Sequence, residues 1–178
     1  MILETVRMIA AALDDATIGV NATRASVPTA TGVSAPPAVT VLDSTTDGRV
    51  GRGGVPSLDP SEYPALLVSP ADQPVDQQTP GARPWPPDAT VTVLVRYVTS
   101  NTDTAAAERD TSQTIRAVWR CMGQLMLPAG VALRTVAQVS LVSIRSMQAA
   151  TLYESSEDTI VTGGVLVTCH VRDFWTQS

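Results

Sequence analysis

Ala89-Thr-Val-Thr-Val-Leu-Val-Arg-Tyr-Val98, with the run that continues to Leu127, decides how this chain folds. Val91, Val93, Val95 and Tyr97 recur at every second position, so a pleated strand places all four on one face. Thr99-Ser100-Asn101-Thr102-Asp103 then reads as a polar break. Beyond it Ile115, Val118, Trp119, Met122, Leu125 and Met126 fall at the i, i+3, i+4, i+7 spacing of a helix face. Thr102 or Asp103 is placed to cap that helix, and Pro128 to end it. At about 3.3 Å per strand residue and about 1.5 Å per helix residue, each element comes to about 35 Å. The helix can therefore lie along the strand and cover its apolar face. Such a pair needs further strands beside it.

The N-terminal sixteen residues read as a second helix, with Ile2, Val6, Ile9 and Leu13 on one face and Leu3 and Ala10 beside it. Asp14 and Asp15 stand where the helix dipole disfavours negative charge, which stops the helix near them. Composition changes at Gly19. Twelve of the 13 prolines lie between Pro28 and Pro87, so regular structure there must be short. Ala38–Leu42 and Ala65–Val68 are the two pieces that read as strands, and residues 19–60 read as an extended arm. Asp47-Gly-Arg-Val-Gly-Arg-Gly-Gly54 reads as a loop presenting Arg49 and Arg52 to a partner, or as a plain hairpin tip. It lacks Gly-Lys-Ser/Thr, so it is no nucleotide cradle. Gln73 to Pro87 reads as a connector anchored by Trp85.

Past Pro128 strand character returns. Val139, Leu141, Val142 and Ile144 mark one strand, and Val161, Val165, Val167, Cys169 and Val171 another. Between them Ala149–Asp158 reads as an acidic loop carrying Glu154, Glu157 and Asp158. Gly163-Gly164 signals a bulge or a close backbone approach. Phe174-Trp175 should fold back onto the body. The fold class that follows is α+β in a single domain, residues 1–178. It has a mostly antiparallel sheet, an N-terminal helix, one long amphipathic helix packed on one face and a long C-terminal hairpin.

Composition excludes several functions. All 12 basic residues are arginine, so there is no Walker, Schiff-base or general-base lysine. The net charge of −5 argues against a dedicated basic nucleic-acid face. Cys121 and Cys169 make no disulfide framework and read as buried free thiols. Glu4 and Arg7 interrupt any signal-peptide core, and no apolar run is long enough to cross a membrane. A soluble protein of a reducing compartment is expected.

Active-site chemistry fails to assemble. His170 is the single histidine, and strand alternation turns it away from Cys169. Cys121, Cys169, His170 and Asp173 lack the paired spacing of zinc ligands. Asp14-Asp15 and Glu157-Asp158 read as solvated surface rather than as general acids. No enzyme and no cofactor are expected.

The layout of N-terminal helix, short Tyr63–Val68 strand, long Ala89–Val98 strand, Ile115/Val118/Trp119 helix and closing hairpin through Val167–Trp175 resembles the tail terminator, or tail-completion, proteins of long-tailed bacteriophages (the gpU-like family). The resemblance covers most of the chain outside about residues 19–60, and it lies in element order and hydrophobic texture. It implies a small virion subunit, assembled in the host cytoplasm into a homohexameric ring. The ring caps the tail tube protein, meets the head-side connector or stopper, and passes DNA without specific binding. On that footing Arg49, Arg52 and Trp85 are candidates for a subunit or partner interface. Glu154, Glu157 and Asp158 are candidates for an acidic loop facing the channel or the tube. A head-completion or stopper protein of the neck is the alternative, and a small ligand-binding module is the reading from another class.

Overall fold

The computed structural model describes residues 2–26, 37–45, 58–71, 88–125, 137–154 and 159–173. Three α-helices and five strands follow one another as α1 (Ile2–Leu13), α2 (Val20–Ala25), β1 (Thr40–Asp43), β2 (Ala65–Pro70), β3 (Asp88–Asn101), α3 (Thr104–Leu125), β4 (Ala137–Glu154) and β5 (Thr159–Asp173). The strands form one sheet in the order β1-β2-β3-β5-β4. Only β1 and β2 run parallel, and the other three pairings are antiparallel. The class is α+β with helices packed on a mostly antiparallel sheet.

The alternation in β3 has its expected consequence. Val91, Val93, Val95 and Tyr97 are all buried, alongside Leu66 and Val68 of β2 and Val165, Val167 and Cys169 of β5. Helix α1 adds Val6, Ile9, Ala10 and Leu13 to the same core, and α3 adds Ala117, Val118, Cys121 and Met122. Burying a large aliphatic side chain contributes about 1.5–3 kcal/mol, which is why a core with few aromatics suffices. The far side of the sheet has a smaller cluster of its own. Ala65, Leu67 and Val98 are buried there, with Leu42, Leu58, Tyr63 and Ile160 packed against them. Strand β2 is thus apolar on both faces, as a central strand covered from two sides should be.

Asp103 is the cap of α3: its Oδ1 accepts from the backbone N–H of Ala105 at 2.9 Å and of Ala106 at 3.3 Å. Asp15 ends the α1 region as its charge suggests, by accepting from the N–H groups of Thr17 and Ile18. Those two backbone bonds hold its carboxyl below the usual aspartate range. Gly19 closes the turn. A Cβ there would lie 2.3 Å from the Asp15 carbonyl oxygen, so no other residue fits without backbone movement.

Four expectations need correction. Helical spacing puts Trp119 on the buried face of α3, yet it is 41% exposed. At 100° per residue it sits at the margin of the face carrying Val118 and Met122. Thr99-Ser100-Asn101 is no break, because all three pair with β5, opposite Val161, Ile160 and Thr159. Cross-strand pairing overrides their polarity. Ala149–Glu154 is strand rather than loop. Strand β4 shifts register at Leu141/Ser143, Met147/Ala150 and Thr151/Tyr153, and each shift breaks the period of two that would have revealed it.

The fourth correction concerns residues 19–60. Part of this stretch belongs to the body. Val20, Thr23 and Arg24 of α2 are buried. Asn21 grips Val39 through both ends of its amide, donating to the carbonyl at 3.0 Å and accepting from the N–H at 2.8 Å. Val39 then joins the core.

Candidate functional site

The most elaborate polar arrangement among the described residues joins α2, α3 and β3. The Arg24 side chain is only 4% exposed and meets Asp110, 14% exposed, at 2.5 Å. Arg24 also donates from Nη1 to the Pro37 carbonyl at 2.7 Å. The Tyr97 hydroxyl donates to the other Asp110 oxygen. Burial, and next to it the negative Asp110 carboxylate, raise the Tyr97 phenol above its ordinary value. One donor, Arg24 Nε, has no hydrogen-bond partner. A charge this deep needs its partners, and here they come from three elements. The arrangement locks α2 onto the long helix; it offers no nucleophile paired with a base. Arg24 and Asp110 are 86 residues apart, so no local pattern announces them.

Cys121 and Cys169 are buried free thiols in the main core, as expected. Burial pushes both up to about 11, and for Cys121 the Asp15 carboxylate adds a smaller push in the same direction. Thiols held in the neutral form are poor nucleophiles. Among the described residues no group of three His, Cys, Asp or Glu side chains is arranged to hold a metal ion. No helix among them is long and apolar enough to cross a membrane.

Of the interface candidates, Arg49, Arg52 and Trp85 lie outside the described residues, and so do Glu157, Asp158 and Phe174-Trp175. Glu154 is the last residue of β4, opposite Thr159, which places it at the closed end of the hairpin. The hairpin itself is longer than expected, with strands of 18 and 15 residues.

Two surfaces emerge that sequence reasoning did not single out. Strand β4 is the last in the sheet, so one side of an 18-residue strand has no neighbour among the described residues. The outward face of α3 is the second. Arg109, Arg116 and Arg120 are all exposed, and half-exposed Trp119 borders them. In sequence the chain matches no protein-family model and no curated protein.

Proposed function

We propose that this chain is a structural subunit that assembles with copies of itself into a ring. The ring would act as a tail terminator that caps a phage tail tube, joins it to the head-side connector and leaves a channel for DNA. One observation carries the assembly part of this reading, the side of β4 that has no strand neighbour among the described residues. Eighteen residues of strand direct to that side a row of backbone N–H and C=O groups about 60 Å long that pairs with no strand among the described residues. Soluble proteins shorten, charge or cover such an edge, because it templates pairing with other chains. A subunit whose working state is an oligomer covers it with a neighbour instead. The opposite edge of the sheet, β1, has only four residues and is already blunted. The identity of the partners rests on the resemblance in element order described above.

Light scattering after size exclusion, with electron microscopy of the same fractions, tests the assembly. Rings, or rings stacked on tube protein when that is added, support the reading. A strict monomer at every concentration, which leaves tube polymerisation unchanged, refutes it.

A further inference from the structure

We propose that α2 and β1 form one detachable cover on the sheet, latched by the Arg24–Asp110 pair, and that its opening turns β2 into an edge. Three hydrogen bonds bind the two elements into a unit. Asn21 holds both the carbonyl and the N–H of Val39, and Arg24 Nη1 donates to the Pro37 carbonyl. Strand β1 meets the sheet through β2 alone, over the four pairs from Thr40–Ala65 to Asp43–Val68. Val20 and Val39 reach the main core. Arg7 donates to Thr45 at the exposed surface, where such a bond holds little. The tie from α2 to the long helix is the ion pair between Arg24 and Asp110.

Opening relieves what closing costs. The Arg24 side chain is 4% exposed and that of Asp110 14%, so both charges have given up most of their hydration. The attraction between buried charges often does no more than offset that loss. Arg24 Nε is buried without a hydrogen-bond partner, and water reaches it once α2 leaves. The centre of the sheet gains nothing comparable. Val91, Val93, Val95 and Val167 are fully buried and apolar, so exposing any of them is unfavourable. The chain therefore opens at α2 and β1 before it opens at β3 and β5.

What lies beneath is an edge of a kind that sheets keep covered. Ala65–Pro70 carries no charged residue, and Ala65, Leu66, Leu67 and Val68 are all buried. With β1 in place, the margin of the sheet is a four-residue strand that ends in Asp43. With β1 away, it is an uncharged strand still paired to β3. The cover belongs to the single chain and does not depend on whether copies assemble.

Hydrogen exchange of the full chain, read by mass spectrometry at a series of low urea concentrations, tests the proposal. Peptides within residues 20–26 and 37–45 should share one opening equilibrium with a weak urea dependence. They should exchange at least about 100-fold faster than the slowest amides of β3 and β5. Asp110→Asn leaves the Arg24 charge without its counter-ion and should speed exchange over both peptides roughly 10- to 100-fold. The slowest amides should gain the same factor, because the pair is absent from the open and the unfolded chain alike. Tyr97→Phe loosens Asp110 more gently and should act in the same direction by about 3- to 10-fold. If α2 and β1 exchange only together with β3 and β5, no separate opening exists and the proposal fails. It fails too if the two peptides open with different equilibria, or if a folded variant leaves both unchanged.

Discussion

Gly163 of β5 lies directly beneath Thr111 of α3, so close that a Cβ on the glycine would stand 2.6 Å from Thr111 Cγ2. Ile115 Cδ1 would be 2.7 Å away. The missing side chain is what allows the long helix to settle on the strand.

Gly163→Ala should therefore destabilise the fold by about 1–3 kcal/mol through overpacking. Urea unfolding followed by far-UV circular dichroism reads the change. Pairing the variant with Thr111→Ser, which removes the nearest methyl group, should recover part of the loss. Independent, additive effects would show that α3 and β5 do not meet at this point.

The Arg24–Asp110–Tyr97 lock gives a graded series. Asp110→Ala strands the Arg24 charge in the core and should cost roughly 3–5 kcal/mol. Tyr97→Phe removes a single donor and should cost about 1–2 kcal/mol. Replacing Arg24 and Asp110 together with Met and Leu should cost less than Asp110→Ala alone. Midpoints of chemical denaturation give the order.

Alkaline stability should follow the two thiols. Both are pushed from 9.0 up to about 11 in the folded chain. Between those values the unfolded chain releases the thiol protons and the folded chain keeps them, so the unfolding free energy falls as pH rises. Below about pH 9 their contribution is fully present. Tyr97 is shifted in the same direction and steepens the fall at higher pH. Cys121→Ala/Cys169→Ala should flatten the slope between pH 9 and 11. A thiol-reactive dye should label the wild-type protein only as it unfolds.

Trp119 separates a core role from a surface role. At 41% exposure, its replacement by Ser should cost only about 1 kcal/mol. Met122→Ala, one turn on and buried, should cost about 2–5 kcal/mol. Acrylamide quenching compared between wild type and Trp119→Phe isolates the Trp119 indole.

Asn21 tests whether α2 belongs to the body. Asn21→Ala removes both bonds to Val39 and leaves a buried backbone N–H unpaired, a loss of about 1–3 kcal/mol. An unchanged midpoint would mean that residues 37–39 are held by something else.

How much of this was legible depends on the period of each element. Val91 to Tyr97 alternate without interruption, and Val161 to Cys169 do so except at Gly163, and both read correctly as strands with a buried face. Strand β4 alternates only between its register shifts, so its second half passed for a loop. Helix α2 has six residues, too few to establish any period, and it lies in a proline-rich neighbourhood that suggested an arm. Gly163-Gly164 signals a bulge or a close approach, and each is present on a different strand. The close approach is at Gly163, and the register shift is on β4 across from it.

The two margins of the sheet are unequal, four residues on one side and 18 on the other. That inequality bears on arithmetic. If the long margin met its own counterpart, a twofold axis would relate the pair and growth would stop at two copies. If it or its tip meets an unlike surface, every copy both gives and receives, and the rotation between neighbours fixes how many close the circle. Counting subunits therefore reveals what the long margin touches: two for like upon like, three or more for unlike.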